Sequence, residues 1–376
     1  MKFKVKTDDL RNAVAELNTI IVPATTYRAI SFILIKASKS DGLILQATDY
    51  EINLKKRVEA DVVEEGAIGI PGKFLNAALK DFDEEELEVE QTGSESLKVN
   101  AGLKKVTFAC LSEDEYPVFP KFEEKDSFII SAQLLKENIR KTAYAVSRDT
   151  SNMVLMGALW EISTDDSLFN MVSTDTHRLV VNKSKVEFQK PPAQNLKLIV
   201  PEKLLSFLVS SLPQTDVRVS VVLPEGDGKI AFNYENTEIV GKLIVGTYPD
   251  YESIIPDTSS MKTIVLDRIA VLKAIRFVSV LAEKKSYNVN LSFEKDVLMV
   301  NTDLTEVGEA QQAVELEDNK ESIKIIFNIN YLKEVLMNLD EEKIEFNFID
   351  QRAPVLTKPL DSNEYFTIIM PIRPIE

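Results

Sequence analysis

STDTHRLV, residues 173–180, ends a strand-like segment with a Thr-Asp pair and contains His177, the only histidine of the chain. The same pair recurs in ATDYEI at Thr48 and in NTDLTE at Thr302, and each time it closes a largely apolar, strand-like run. Repeats spaced by about 125 residues are whole domains, since solenoid repeats span only roughly 20–50 residues. The stretch therefore predicts three copies of one domain.

Other landmarks recur in the same order around each Thr-Asp pair. An extended start leads into a helix in FKVKTDDLRNAVAEL, FIISAQLLKENIRKTAYAV and TIVLDRIAVLKAIRFVSVL. A second helix follows in IPGKFLNAALKDF, VPEKLLSFLVSSL and FNINYLKEVLMNL, and the last of these begins at Asn328, a favoured helix cap. Each copy ends with a proline signature: EYPVFP at 115–120, TYPDYESIIP at 247–256 and MPIRP at 370–374.

Each copy reads strand, helix, several strands, helix, several strands. This order predicts an α+β domain in which two helices pack on one face of antiparallel sheet. The predicted domains are residues 1–121, 122–256 and 257–376. The predicted helices are residues 8–20, 72–80, 133–148, 202–212, 267–285 and 330–339.

The composition limits the class of protein. The chain has 376 residues, 44% of them apolar, and no apolar run approaches the ~20 residues of a membrane span. The start, MKFKVKTDDLRNAV, lacks the apolar core of a signal peptide, and a single cysteine excludes an internal disulfide. We therefore expect a cytoplasmic protein without a membrane partner. One histidine and one cysteine are too few for a transition-metal site. Counting leaves carboxylate Mg²⁺ sites open, but acidic runs such as DFDEEELEVE at 81–90 are more often solvated edges, so we expect no metal and no cofactor.

The charge is distributed unevenly along the chain. Sixty acidic against 44 basic residues give a net charge of −16, which alone argues against nucleic acid because Lys and Arg make the phosphate contacts. The six predicted helices nevertheless hold 14 basic and 8 acidic residues, which leaves 30 and 52 for the remainder. Positive helices gathered on one face suit a protein that surrounds DNA without reading its bases. The alternative is a solvated helix face, since Lys and Arg are good helix formers.

The side chains of residues 173–180 also raise the alternative of a hydrolase. Thr174 would be its nucleophile and His177 its base, beside the guanidinium of Arg178. The first and third copies, however, carry the Thr-Asp pair without a histidine. We therefore interpret the pair as part of the fold and residues 176–179 as special to the middle copy. No catalytic residue is predicted, and the chain is expected not to be an enzyme.

TDTHRL, YPDYESIIP, the terminal MPIRP and the threefold repeat together resemble the bacterial β sliding clamp, the processivity factor of the replicative DNA polymerase. The resemblance runs over the whole chain. It implies the DNA clamp fold, in which a head-to-tail homodimer of three-domain subunits closes into a ring of six domains. Twelve helices would line the hole, and a continuous sheet would form the outside. The implied partners are duplex DNA, bound without sequence preference, an ATP-driven clamp loader, and polymerases and repair proteins that bind through short peptide motifs.

The resemblance also implies sets of site residues. A partner-peptide pocket, at the junction of the second and third domains, would include Leu155, Thr174, Thr176, His177, Arg178, Leu179, Pro249, Ile254, Asn328, Tyr331, Pro354, Ile368, Ile369, Met370, Pro371, Ile372 and Arg373. Its apolar cleft would take Leu or Phe anchors, while Arg178, Arg373, Asn328 and His177 would orient the peptide backbone. In the dimer, Val106 and Phe108 would face Val280 and Leu281 of the partner subunit. Helix charge predicts DNA-facing cations at Lys73, Arg140, Lys141, Arg148, Lys203, Arg276 and Lys333.

The sequence departs from the family pattern in places. Thr176 stands where many clamps have glycine, Ser253 where a basic residue is common, and Ser286 where a large apolar residue is common. Ile375 and Glu376 extend the chain beyond MPIRP. These departures concern the preference for particular peptides rather than the existence of the pocket.

Overall fold

The structure is a computed structural model, which describes residues 1–22, 26–120, 126–223, 228–281, 287–304, 308–317, 319–360 and 362–373. The chain forms two compact units. The first comprises residues 1–133, 187–192 and 211–243, and the second comprises residues 134–186, 193–210 and 244–376.

The α-helices of the described residues are α1 (Thr7–Leu17), α2 (Gly72–Leu79), α3 (Ala132–Ala143), α4 (Glu202–Ser211), α5 (Arg268–Val278) and α6 (Ile329–Asn338). The strands are β1 (Lys2–Lys6), β2 (Phe32–Ser38), β3 (Gly42–Thr48), β4 (Ile52–Val58), β5 (Asp61–Glu64), β6 (Gly66–Pro71), β7 (Glu86–Gly93), β8 (Ser96–Ala101), β9 (Lys104–Ala109), β10 (Leu111–Ser112), β11 (Ser127–Ser131), β12 (Gly157–Ser163), β13 (Leu168–Thr174) and β14 (Arg178–Lys185). They continue with β15 (Glu187–Lys190), β16 (Leu196–Pro201), β17 (Arg218–Val222), β18 (Lys229–Tyr234), β19 (Thr237–Lys242), β20 (Lys262–Asp267), β21 (Asn288–Glu294), β22 (Val297–Asn301), β23 (Gln311–Glu315), β24 (Ile323–Asn328), β25 (Lys343–Phe348), β26 (Val355–Pro359) and β27 (Tyr365–Ile369).

The strands of each unit form two antiparallel sheets. In the first unit the orders are β5-β1-β7-β8-β9 and β10-β6-β2-β3-β4-β19-β18-β17-β11-β15. In the second unit they are β16-β12-β13-β14-β27-β26-β25-β20 and β23-β22-β21-β24. Helices and antiparallel sheets in this order confirm the predicted α+β class.

The long sheet of each unit contains the same joint between successive copies of the repeat. In the first unit β4, which follows the Thr-Asp pair of the first copy, pairs with β19 so that Ile52 lies opposite Gly241. In the second unit β14, which follows the Thr-Asp pair of the middle copy, pairs with β27 so that Arg178 lies opposite Ile369. The Thr-Asp turn therefore stands at the joint in both units.

The helices are held by an apolar face and by capping. Helix α5 buries residues three and four positions apart, among them Val271, Ala274, Ile275 and Val278, as an amphipathic helix on a sheet requires. Its N-cap, Asp267, accepts a hydrogen bond from the backbone N–H of Ala270 at 2.8 Å. Such a cap contributes about 1 kcal/mol.

The apolar face of α5 belongs to the core of the third copy, in which four phenylalanines pack against one another. Their ring centroids lie 5.4 to 6.4 Å apart. The four are Phe293, Phe327, Phe346 and Phe348.

Three of the predicted helices extend clearly too far: the first ends at Leu17 rather than at residue 20, and the third and fifth are too long by more. Helix α3 ends at Ala143 rather than at residue 148, where side chains from strands occupy carbonyl groups at its end. Tyr365 donates to the carbonyl of Lys141 at 3.2 Å, and Arg178 donates to that of Tyr144 at 2.6 Å. When side-chain donors already bond to the carbonyl oxygens at the end of a helix, those oxygens do not need the N–H groups of a further turn.

Helix α5 ends at Val278 rather than at residue 285. The N–H and the hydroxyl of Ser279 bond back to carbonyls of the last turn, at 2.9 and 2.7 Å. Residues 282–286, which include Lys284, Lys285 and Ser286, lie outside the described residues. Among the helices of the described residues, none has the length and apolar character that a membrane span requires.

Candidate functional site

The Thr-Asp pair of the first copy builds a turn out of its own side chains. The Oγ1 of Thr48 accepts a hydrogen bond from the N–H of Tyr50 at 3.0 Å. The Oδ1 of Asp49 accepts from the N–H groups of Glu51 and Ile52, at 3.0 and 2.7 Å. Short polar side chains that satisfy the following N–H groups stabilise such turns.

The middle copy repeats this turn atom for atom. The Oγ1 of Thr174 accepts from the N–H of Thr176 at 3.1 Å, and the Oδ1 of Asp175 accepts from those of His177 and Arg178, both at 3.1 Å. In the third copy the Oγ1 of Thr302 accepts instead from Ala310, while residues 305–307 lie outside the described part. The geometry of the first two copies supports the interpretation that the pair is part of the fold.

The third residue of the turn has a left-handed backbone in both copies. Tyr50 has φ 71° and Thr176 has φ 74°. This region is favourable for glycine and costly for other residues, above all for β-branched ones such as threonine. Thr176 therefore keeps the conformation that a glycine would adopt, at a cost in backbone strain.

Arg178 is buried at the base of the turn, with a side chain that is only 6% exposed. Its Nε donates to Asp175 at 3.1 Å, Nη1 to Glu334, and Nη2 to the carbonyl of Tyr144 at 2.6 Å. The guanidinium also stacks between two rings, 4.7 Å from the centroid of Tyr331 and 5.1 Å from that of Tyr144. Three of its five N–H donors are thus used within the protein, while the orientation of a peptide backbone by Arg178 stays a prediction.

His177 lies above this base and is exposed. Its ring stacks on that of Tyr331, with centroids 5.7 Å apart and an interplanar angle of 21°. Its carbonyl accepts the N–H of Met370 at 2.9 Å, which fixes the end of the terminal strand to the turn. His177 and Tyr331 thus present one aromatic surface that Arg178 supports from below.

This surface forms one wall of a cavity of about 680 Å³. The cavity brings together five of the predicted pocket residues: Leu155, Thr176, His177, Arg178 and Tyr331. Pro249 lines a different cavity, of about 520 Å³, together with Tyr248, Tyr251 and Ile199. These two cavities together are lined by six of the predicted pocket residues.

Several other predicted pocket residues are parts of the core. Leu155, Leu179 and Ile368 belong to one apolar cluster, and Ile369 belongs to another, as alternation along β27 requires. These four side chains form the floor of the region rather than an open wall. Leu155 both belongs to this floor and lines the larger cavity.

The polar members of the predicted pocket are also engaged. Asn328 caps α6, as predicted: its Oδ1 accepts from Asn330 at 3.0 Å and from Tyr331 at 3.4 Å. Thr174 is buried, and its hydroxyl donates to the carbonyl of Arg178 at 2.6 Å. The amide oxygen of Asn328 is therefore engaged by the backbone of α6, and the orientation of a peptide by the polar groups of Asn328 stays a prediction.

The terminal segment supplies the more accessible side chains. Met370 is 44% exposed, and Ile254 and Arg373 are also exposed, while Pro354, Pro371 and Ile372 are half-buried. The N–H of Ile372 donates to the carbonyl of Ile326 at 2.7 Å, which holds the segment beyond β27 in place.

The prediction missed the residues that fix this arrangement. Tyr144 and Glu334 hold the guanidinium of Arg178, and Val146, Asp149 and Asn152 line the larger cavity. Tyr144 and Glu334 lie 34 and 156 positions away from Arg178 along the chain. No local pattern signals such pairs, so only the fold reveals them.

A hydrolytic site is not formed by these residues. The hydroxyl of Thr174 donates to a backbone carbonyl rather than to the imidazole of His177, so it is not activated as a nucleophile. Within the described ranges, no group of three or more His, Cys, Asp or Glu side chains is placed to hold a metal ion.

Six of the seven predicted DNA-facing cations lie on helices. They are Lys73 on α2, Arg140 and Lys141 on α3, Lys203 on α4, Arg276 on α5 and Lys333 on α6. The seventh, Arg148, is exposed in the loop after α3, which corrects its assignment to a helix. The observed helices hold ten basic and six acidic residues, so they stay positive in an acidic chain.

The predicted dimer residues lie at two separate places. Val106 is half-buried on β9, an edge strand of the five-stranded sheet, and Phe108 on the same strand is only 7% exposed. Val280 and Leu281 follow α5; the first is 80% exposed and the second is half-buried. Most of the Phe108 side chain is therefore covered within its own subunit.

Comparison with known proteins gives three family matches in succession along the chain. The N-terminal domain model of the DNA polymerase III beta subunit matches residues 1–120. The central domain model matches residues 129–250, and the C-terminal domain model matches residues 252–373.

Individual relatives agree with these matches over their full length. The beta sliding clamp of Staphylococcus epidermidis is 27% identical, and that of Chlamydia muridarum is 26% identical, each over 99% of both chains. Among solved structures, the DNA polymerase sliding clamp of Bacillus subtilis superimposes with a TM-score of 0.93 at 25% identity over 100% of both chains. A Pseudomonas aeruginosa sliding clamp bound to griselimycin gives a TM-score of 0.91 at 25% identity over 99% of both chains.

Proposed function

The chain belongs to the family of the DNA polymerase III beta subunit, the bacterial sliding clamp, and we propose from this that two copies close into a ring around duplex DNA. The observation that carries the proposal is the succession of three clamp-domain matches over residues 1–120, 129–250 and 252–373. Two subunits of three similar domains can close a head-to-tail ring when the rotation between neighbours is right. The proposed domain limits are 1–121, 122–256 and 257–376.

Closure of the ring would use two of the edges that the sheets leave open. Strand β9 is an edge of the five-stranded sheet, and β23 is an edge of the four-stranded sheet that packs beside α5. An edge strand offers unpaired N–H and C=O groups, and pairing between subunits removes that exposed edge. Val106 of one subunit would then meet Val280 and Leu281 of the partner subunit.

The ring would hold DNA by charge without reading its sequence. The helices are positive within a chain of net charge −16, so a helix-lined hole would attract phosphates while the acidic remainder repels them. The proposed phosphate contacts are Lys73, Arg140, Lys141, Lys203, Arg276 and Lys333, with Arg148 from its loop.

The region of His177 would be the site at which polymerases, the clamp loader and repair proteins dock. The aromatic surface of His177 and Tyr331, the exposed Met370 and the neighbouring hollow at Pro249 can receive apolar anchors of a short peptide. Arg178 and Asn328 would hold the turn and the start of α6 in place at this site through their contacts within the protein. The remaining proposed members are Leu155, Thr174, Thr176, Leu179, Ile254, Pro354, Ile368, Ile369, Pro371, Ile372 and Arg373.

The protein would then act in the cytoplasm as a tether and not as an enzyme. Thr174 and His177 are arranged for a turn and a binding surface, and neither has the hydrogen bond that a nucleophile and its base require. A ring that stays on DNA because it encircles the duplex needs no cofactor.

The test is primer extension on a long single-primed circular template with a bacterial replicative polymerase, clamp loader and ATP. We expect product length in a single binding event to rise on addition of the protein. A variant without residues 370–376 should lose this stimulation. Product lengths that stay the same with and without the protein would contradict the proposed function.

A further inference from the structure

Two cations at the end of α3 converge on one carboxylate. Arg140 Nη2 lies 2.9 and 2.7 Å from the two oxygens of Asp340, and Lys141 Nζ lies 3.3 Å from one of them. Both cations are among those predicted to face DNA. In the free protein, therefore, their charge is already opposed by the protein itself.

The position of Asp340 is fixed by a third cation. Asp340 follows α6, and Arg268 donates to the carbonyls of Leu336, Asp340 and Glu341 at 3.1, 3.1 and 2.6 Å. An arginine that holds three carbonyls at a helix end restrains the chain there. The carboxylate is thus held near α3 by the backbone as well as by its own ion pair.

The two cations differ in how easily they exchange partners. Lys141 is only 13% exposed and is also held by Glu137 at 2.7 Å, whereas the side chains of Arg140 and Asp340 are 40% and 51% exposed. Exposed ion pairs are weak and exchange readily with other ions. Arginine binds carboxylate and phosphate through the same donor groups, so a phosphate can take the place of the Asp340 carboxylate.

We propose that Arg140 is a phosphate-binding site that Asp340 occupies in the free protein, and that a DNA phosphate displaces Asp340 when the duplex is bound. The proposal rests on the proposed function, because it requires α3 to face DNA. The Asp340 carboxylate competes with each DNA phosphate that reaches Arg140. The contact between Arg140 and DNA is therefore weakened but not removed. A clamp that must slide benefits from contacts of this kind.

The experiment measures binding of a short linear duplex to the full-length protein by fluorescence anisotropy over a range of salt concentrations. Asp340→Asn removes the negative charge that competes with phosphate and keeps the size of the side chain. Asp340→Ser removes the same charge without introducing an amide group. We expect both variants to bind more tightly than the wild type at low salt. One added phosphate contact makes duplex affinity fall more steeply as salt rises. The ratio of variant to wild-type affinity should therefore shrink about threefold for each fourfold rise in salt concentration.

Two further variants separate this effect from a general change in charge. Glu187→Gln removes the same charge from an exposed ion pair with Arg218, on a strand instead of beside a helix, and should leave affinity near that of the wild type. In an Arg140→Ala background, Asp340→Asn should produce a much smaller gain, limited to what Lys141 regains.

Equal affinities for Asp340→Asn, Glu187→Gln and the wild type would overturn the proposal and leave duplex binding intact. A gain of undiminished size in the Arg140→Ala background would also overturn it. If the wild type and both Asp340 variants fail to bind duplex DNA at low salt, the helix-lined DNA surface of the proposed function fails as well.

Discussion

Thr176, at φ 74°, is the β-branched member of the non-glycine residues with a left-handed backbone in the described part of the chain. We expect Thr176→Gly to stabilise the second unit by about 1 kcal/mol, because relief of left-handed strain exceeds the added entropy of glycine in the unfolded chain. Urea unfolding can be followed through Trp160, the only tryptophan, which is buried in β12 of that unit.

Thr150 provides the matched control for this change, because it lies in the same unit as Thr176 and Trp160. It is exposed and is not among the residues with positive φ, so Thr150→Gly should destabilise the second unit by about 0.5–1 kcal/mol. If both glycine variants shift the unfolding midpoint in the same direction, strain at Thr176 is not the cause.

Arg178 and His177 are neighbours with different tasks, and substitution should separate them. Arg178→Ala leaves Asp175 and Glu334 without their cation, so it should lower the free energy of unfolding by about 3 kcal/mol. His177→Ala removes an exposed ring and should change stability by less than about 0.5 kcal/mol. It should nevertheless weaken binding of a fluorescent peptide from a polymerase C-terminus, because the ring stacked on Tyr331 is lost.

The measurements for this pair are urea unfolding and peptide anisotropy on the same samples. Arg178→Lys keeps the positive charge but loses the planar guanidinium group. Compared with Arg178→Ala, it should therefore recover only part of the lost free energy of unfolding. A stable Arg178→Ala protein that fails to bind peptide would show direct recognition by Arg178, against the present assignment.

The residues around Thr174 show what the sequence can and cannot predict. The Thr-Asp turn was predictable because its donors and acceptors lie within four residues, and the two copies without a histidine marked it as part of the fold. The role of Arg178 was not predictable, because Tyr144 and Glu334 reach it only through the fold. Resemblance to the family placed Arg178 near the pocket but not beneath it.

At the scale of elements, the segment beyond β27 is the part of the proposed pocket that can be removed cleanly. Deletion of residues 370–376 removes Met370 and its hydrogen bond to His177, while β27 keeps its pairing with β14. We expect the truncated protein to remain dimeric and to lose most of its affinity for a partner peptide that binds the intact chain at roughly micromolar Kd, or about −8 kcal/mol.

Met370→Ala is the companion variant for the deletion, since it removes the exposed side chain and leaves the backbone contacts. It should lose part of the peptide affinity, as expected for one apolar anchor site among several. Peptide binding to the truncated protein that is as tight as to the intact chain would place the pocket elsewhere.

The helices illustrate why element boundaries are harder to predict than element type. The segments that recur in each copy predicted all six helices, and Asn328 predicted the start of the sixth. The end of α3 depends instead on Tyr365 and Arg178, which belong to strands far along the chain and occupy its last carbonyls. Sequence periodicity continues past Ala143, so it could not reveal this end.

At the scale of the whole molecule, the proposed ring depends on contacts that each subunit alone leaves exposed. Val280 is 80% exposed at the proposed interface, so Val280→Asp places a charge where an apolar contact forms. We expect sedimentation equilibrium at micromolar concentration to show a dimer for the wild type and a shift toward monomer for this variant.

Val118 is the control, because it is as exposed as Val280 but lies in the proline signature of the first copy. Val118→Asp should leave the dimer unchanged. A monomeric wild type at micromolar concentration, or equal dissociation in both variants, would argue against closure through Val280.

The most direct test of the central claim is whether the protein is linked to DNA by topology. The labelled protein is loaded onto nicked circular duplex DNA with a clamp loader and ATP, separated from free protein by gel filtration, and then treated with an enzyme that cuts the circle once. We predict that the protein elutes with the intact circle and is released after linearisation. Retention on the linear DNA equal to that on the circle would contradict a ring that slides along the duplex.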